Sequence, residues 1–248
     1  MSSYEALAGR YDALTADVHY EVWADYAEKH FRRAGLPVHT VLDLACGTGS
    51  LTCRLAERGY EMIGVDQSEE MLAVAAEKGR AVQGEKPIFL HQSMQELDLY
   101  GTIDACVCCL DSVNYVTCPA YLRRAFQRVH LFLMPGGVFL FDVNTPEKLR
   151  NLDGQMFMDE TDDTYCVWRA EYSARRRICT YGMDLFFREG ALWRREEEVH
   201  EEYAYEPQEL TDYLHAAGFR DVKQYGELKL RPPKPGEGRI FLAARKDL

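Results

Sequence analysis

Gly47 and Gly49 lie between an apolar run and an amphipathic one in Val41-Leu42-Asp43-Leu44-Ala45-Cys46-Gly47-Thr48-Gly49-Ser50-Leu51-Thr52. Lacking Cβ atoms, the two glycines let the backbone turn sharply and let a ligand approach it closely. The helix expected beyond them has free N–H groups in its first turn, which suit a nucleotide-like group. The chemistry offered is cofactor binding at a strand–turn–helix junction.

The next apolar stretch, Tyr60-Glu61-Met62-Ile63-Gly64-Val65, ends at Asp66. An acid at the tip of the second strand of a nucleotide-binding α/β fold accepts hydrogen bonds from ribose hydroxyls. That pattern suits NAD or S-adenosylmethionine, and two details favour the methyl donor. The third glycine of the NAD fingerprint would fall at position 52, which is Thr52. Asp43 also lies inside the first strand, where the NAD pattern asks for no acid.

With Asp43, Gly47 and Gly49 in place and Ala45 standing for the first glycine, the string resembles motif I of class I S-adenosylmethionine-dependent methyltransferases. Ile63 to Leu72, containing Asp66, Gln67 and Met71, resembles the family's second motif. Phe89-Leu90-His91-Gln92-Ser93-Met94-Gln95 resembles its third segment, with Ser93 where the family has an Asp against the adenine amino group. The adenine contact is then expected from backbone or Gln95, with Met71 and Met94 on the two faces of the base or simply in the core. The resemblance implies S-adenosyl-L-methionine as cofactor and S-adenosyl-L-homocysteine as product, with Leu110 completing the cofactor set. It also implies an N-terminal segment closing over the cofactor. Tyr4, Tyr11, Tyr20 and Trp23 lie there, and Tyr11 and Trp23 are the expected aromatic contacts of the sulfonium.

The acceptor belongs after the fourth strand, at Leu110-Asp111-Ser112-Val113-Asn114-Tyr115. Methylases of exocyclic base amines resemble one another here in Asn/Asp-Pro-Pro-aromatic, which this chain lacks. Asp111 or Asn114 is expected to orient the acceptor, or else Asp111, Ser112 or Asn114 caps the next helix. Methyl transfer rests on alignment and exclusion of water, and needs a base only when the acceptor arrives protonated. Candidate bases are His91 and His200, the latter inside Glu196-Glu197-Glu198-Val199-His200-Glu201-Glu202. The acids around His200 would attract an amine, or form the solvated face of an edge strand. His200-Glu201 is no metalloprotease motif, since position 204 is Ala204. No metal is expected.

Strands are expected over 40–45, 60–65, 86–90, 103–110 and 137–143, alternating with helices near 50–58, 68–78 and 119–133. That alternation denotes a doubly wound, mostly parallel sheet, and the resemblance implies seven strands with the last antiparallel. Before it, Tyr11, Leu14, Val18, Val22, Tyr26 and Phe31 recur at helical spacing, interrupted near Asp17. Residues 164–172, 178–188 and 191–205 are expected to form an inserted three-stranded antiparallel meander. A helix over 207–217 stopped by Gly218, then strands near 220–230 and 239–245, close the fold. Two units are expected: a Rossmann-like cofactor domain of residues 1–150 plus 205–248, and a β lid for substrate of residues 151–204.

The 248 residues, 47% apolar and 28% charged, describe a globular chain without an apolar run of membrane-spanning length or a signal-peptide pattern. A cytoplasmic location, no membrane partner and a monomer or homodimer are expected. A net charge of −11 disfavours nucleic acid. Of the eight cysteines, Cys106 and Cys109 have CxxC spacing, but in a strand residues three apart face opposite sides and neither chelate nor pair. The chain also resembles, more loosely, amino-sugar N,N-dimethyltransferases, which insert β-strands after the fifth strand as a substrate cover. The expected activity is therefore methyl transfer to N or O of a small-molecule acceptor. The alternatives are a methylase of RNA or protein, hinted at by Arg175-Arg176-Arg177, and a non-catalytic S-adenosylmethionine-binding module.

Overall fold

A computed structural model describes residues 8–248; Tyr4 lies outside them. The N-terminal segment forms α1 (Tyr11–Leu14) and α2 (Tyr20–Phe31), broken as the spacing around Asp17 predicts. There follow β1 (Thr40–Leu44), α3 (Ser50–Glu57), β2 (Glu61–Asp66), α4 (Glu69–Ala81), β3 (Ile88–His91), β4 (Ile103–Cys108), α5 (Pro119–Phe132), β5 (Leu133–Asn144) and α6 (Pro146–Asn151). Strands β6 (Met156–Glu160), β7 (Thr164–Ser173), β8 (Ile178–Glu189) and β9 (Leu192–Tyr203) come next, then α7 (Pro207–Ala217), β10 (Arg220–Gly226) and β11 (Arg239–Arg245).

Seven strands form one sheet in the order β10-β11-β5-β4-β1-β2-β3. β11 runs antiparallel to β5 and β10, and the remaining pairs are parallel. Both faces are buried, so successive side chains of one strand serve different cores. Leu42, Cys106 and Cys108 pack with Phe126 of α5 and Leu214 of α7 on one face. Val41, Val107 and Cys109 pack with Tyr26 of α2 and Leu55 of α3 on the other. Cys106 and Cys109 are thus separated by the sheet, and all eight cysteines are free thiols.

Local chemistry sets the helix ends. Ser68 caps α4 by accepting the Met71 N–H, and Thr145 caps α6 ahead of Pro146. Glu206 and Glu209 form a reciprocal capping box on α7, which stops at Gly218 with φ of 106°.

The insertion is a second antiparallel sheet in the order β6-β7-β8-β9. It has four strands where three are expected, and β6 is the addition. Its residues Met156, Met158, Asp159 and Glu160 are exposed and show no alternation, yet backbone pairing from Met156↔Arg169 to Glu160↔Tyr165 holds it at the edge. Along β9, Glu198 is side-chain buried and His200 and Glu202 are buried, while Glu197 and Val199 are exposed, so the acidic run is two-faced. β9 is an edge strand, and its inward acids are the unusual half.

Candidate functional site

The chain winds from β1 to β3 in one direction and from β4 to β5 in the other, leaving a crevice at the carboxyl ends of β1 and β4. A cavity of about 390 Å³ lies there, within the range of small-molecule and cofactor sites. Among the residues expected at a cofactor, Tyr11, Trp23, Asp43, Ala45, Gly47, Asp66, Gln67, Met71, Met94, Gln95 and Leu110 line it. Tyr20, Thr48, Ser112, Tyr115, Thr117 and Cys118 line it as well.

The turn is held from two sides. Ala45 and Gly47 adopt φ of 61° and 55°, which direct the loop backbone along the cavity wall. Asp66 Oδ2 accepts the Gly47 N–H at 2.8 Å and Oδ1 accepts the Ser68 N–H at 2.9 Å. Burial raises the Asp66 carboxyl above its ordinary value, opposed by those backbone donors. A half-buried carboxylate with two backbone donors fits a hydroxyl-bearing ligand that supplies further donors.

Asp43 is buried at the end of β1 and accepts the Thr52 Oγ1 hydrogen at 2.6 Å. Burial lifts it from 3.8 to about 7. Folding therefore favours its protonated form, so its contribution to stability is complete below about pH 4 and is lost as pH rises through about 7. Thr52→Val removes the donor that offsets the charged form. Its cost in urea unfolding is expected to be about 1–2 kcal/mol greater at pH 8 than at pH 5; equal costs at both values would contradict the pairing.

Two expected cofactor residues are placed elsewhere. Gly49 is absent from the cavity wall: it stands at the N-cap of α3 with φ of 73°, and a Cβ there would lie 2.9 Å from Ala75 Cβ and 3.2 Å from the Phe89 ring. It serves close packing of β1–α3 on α4 and β3. Ser93 opens a 3₁₀ turn over Met94–Glu96 and donates its hydroxyl to Glu96 Oε2 at 2.7 Å. Trp23 reaches the cavity, but Arg239 lies 5.7 Å over its ring and Phe241 packs 5.4 Å away. Its π face already meets a protein cation.

The acceptor-side expectations divide more sharply. Asn114 is fully buried, donating from Nδ2 to the Asn144 and Tyr203 carbonyls at 3.1 and 3.0 Å and accepting the Asn144 N–H on Oδ1 at 3.0 Å. It is a strut between the two sheets, neither a helix cap nor a wall residue. Asp111, with φ of 52°, turns onto Arg239 at 2.6 Å, and Arg239 also pairs with the buried Asp142. Leu110 before it has φ of 60°. Two successive left-handed residues re-aim the segment, so that Ser112 and Tyr115, neither of them expected at the acceptor, form the wall. No spacing rule announces left-handed backbone at Leu and Asp.

His200 is 2% exposed and its Nε2 lies 2.8 Å from Glu198 Oε2. Its ring stands edge-on to Tyr115 with centroids 6.0 Å apart, one side chain behind the cavity. Glu202, next on the same face, accepts from Asn144 Nδ2 at 2.8 Å, and burial raises its carboxyl well above the ordinary range. His91 is exposed and bonded to the Gln67 carbonyl at 2.9 Å, away from the cavity wall. Of the arginine triplet, Arg176 pairs with Glu201 and Arg177 with Glu209, which leaves no basic stripe at that turn.

Residues 41–137 match the family described as Methyltransferase domain. The Bacillus subtilis (strain 168) protein YqeM, named a candidate methyltransferase, is 32% identical over 246 residues, spanning 98% of this chain and 97% of its own. A solved S-adenosylmethionine-dependent methyltransferase from Clostridium acetobutylicum ATCC 824 superposes with a TM-score of 0.88 at 31% identity, covering 99% of both chains. The sugar N-methyltransferase KedS8 from Streptoalloteichus sp ATCC 53650 shares the fold, with a TM-score of 0.80 at 22% identity over 100% of this chain and 97% of its own.

Proposed function

We propose, from the premise that the chain belongs to the S-adenosylmethionine-dependent methyltransferases, that it methylates an amine nitrogen of a small-molecule acceptor bound between the cavity and the four-stranded sheet. The observation that carries this reading is the inward face of β9. There Glu198, His200 and Glu202 are withdrawn from solvent, and the His200 ring stands edge-on to Tyr115, a wall residue of the cavity. Buried acids on an edge strand are costly unless paired, and here Glu198 meets His200 while Glu202 accepts from Asn144; such a preformed polar network suits an acceptor that gives up a proton, as an amine does. The name of KedS8, a sugar N-methyltransferase, agrees with such an acceptor.

The cofactor fits the residues present. Asp66 would accept ribose hydroxyls, Met71 and Met94 would pack on the adenine, and the Ala45–Gly47 backbone would face the methionyl portion. When bound, S-adenosylmethionine supplies a methyl group already activated on a sulfonium. Tyr11 and Tyr20 remain protonated, since burial raises Tyr20 to about 12 and Tyr11 further, so both present neutral hydroxyls. What remains for the protein is to align the acceptor, exclude water and receive one proton. His200, held by Glu198 one side chain behind the wall, is assigned to receive that proton by relay past Tyr115.

The internal pairing of Arg176 and Arg177 gives no support to a macromolecular acceptor. A panel of small primary and secondary amines, phenols and neutral sugars, assayed with methyl-labelled S-adenosylmethionine, tests the choice. Turnover confined to amines is the expected outcome. Turnover confined to phenols or sugars would retain the methyltransferase and refute the amine acceptor.

A further inference from the structure

Three consecutive residues at the start of α1 are tied to three different parts of the molecule. Arg10 Nη1 meets Asp163 Oδ2 at 2.5 Å and Thr164 Oγ1 at 3.0 Å, at the turn from β6 to β7, and its guanidinium sits 5.1 Å over the Phe187 ring of β8. Tyr11 is a wall residue of the cavity and packs, with Leu14, on the apolar patch of β7 and β8. Asp12 turns the other way. Its Oδ2 pairs with Lys78 of α4 at 2.5 Å, and its Oδ1 accepts the Thr48 and Ser50 hydroxyls at 2.6 and 3.2 Å. Lys78 Nζ closes the ring by donating to the same hydroxyls at 2.9 and 2.7 Å.

The geometry points to a strap. Residues 10–12 are pinned at one end to the four-stranded sheet and at the other to the glycine turn, with Tyr11 held over the cofactor cavity between the pins. Arg10 and Lys78 are positioning residues that set how long the cofactor stays bound. The inference rests on reading the cavity as the S-adenosylmethionine site.

Chemistry favours a releasable device over permanent packing. Both ion pairs are partly exposed, with Asp163 at 58% and Asp12 at 44% side-chain exposure. Such pairs are individually weak and are screened by salt. Because Asp12 also occupies the hydroxyls of Thr48 and Ser50 beside a helix start that has no side-chain cap of its own, opening the strap frees the turn that faces the ligand. Affinity differences of this kind reside mainly in dissociation rates.

Stopped-flow release of S-adenosylhomocysteine from the full chain tests the strap. Lys78→Met and Arg10→Gln are each expected to speed release about tenfold, the sum of weak pins lost at one end. The double variant should release little faster than either single one, since freeing one end frees Tyr11. Lys78→Arg should stay close to wild type. In the wild-type protein release should accelerate between about 0.05 and 0.5 M salt, and this arm needs no variant to fold. Salt-independent release, or variants that release at the wild-type rate, would overturn the strap while leaving the site intact. Absence of any S-adenosylhomocysteine binding to wild type would overturn both.

Discussion

Asp66→Ala is expected to weaken S-adenosylmethionine binding by about 30- to 1,000-fold, because two charge-assisted hydrogen bonds worth about 2–4 kcal/mol together are lost. The structure adds a second reason for a large effect. The same carboxylate anchors the Gly47 and Ser68 N–H groups, so the substitution also loosens the turn. Asp66→Asn retains one acceptor and the side-chain shape, and it should fall between wild type and alanine. Calorimetry of the two variants checks the order. Unchanged affinity in Asp66→Ala would remove this residue from the cofactor site.

His200→Gln should act on the other half of the reaction. General-base catalysis contributes about 10²- to 10⁴-fold, so kcat is expected to fall about 100-fold or more near neutral pH. S-adenosylmethionine affinity should stay within about twofold of wild type. The split matters because His200 is buried against Glu198 and Tyr115, and a purely structural loss would lower kcat and cofactor affinity together through the shared wall at Tyr115. A kcat within about threefold of wild type would show that the acceptor proton leaves by another route.

Legibility in the sequence followed the directness of the physics. The parallel sheet was readable because buried strands are continuous apolar runs and their helices carry their own stop signals, as at Gly218. The turn after β1 was readable because glycine chemistry is local. Thr52, the residue that breaks the NAD pattern, is the hydroxyl partner of Asp43. β6 was not readable, since an exposed edge strand needs no apolar alternation and is held by backbone bonds to β7.

The acceptor side was the least legible. Asp111 and Asn114 have the polar groups that substrate orientation requires, and buried structural junctions require the same groups. Only tertiary partners distinguish the uses: Arg239 claims Asp111, while the carbonyls of Asn144 and Tyr203 claim Asn114. Tyr115 is brought to the wall through left-handed backbone at Leu110 and Asp111. The strap, likewise, depends on contacts more than 100 residues apart in the case of Arg10 and Asp163, beyond the reach of any local pattern.

The central claim is that this cavity delivers the methyl group of S-adenosylmethionine to a small molecule. Incubating the protein with methyl-labelled S-adenosylmethionine and a cell extract, then separating metabolites from macromolecules, tests it most directly. The account predicts label in the metabolite fraction and its loss with Asp66→Ala. Label confined to RNA or protein would contradict it.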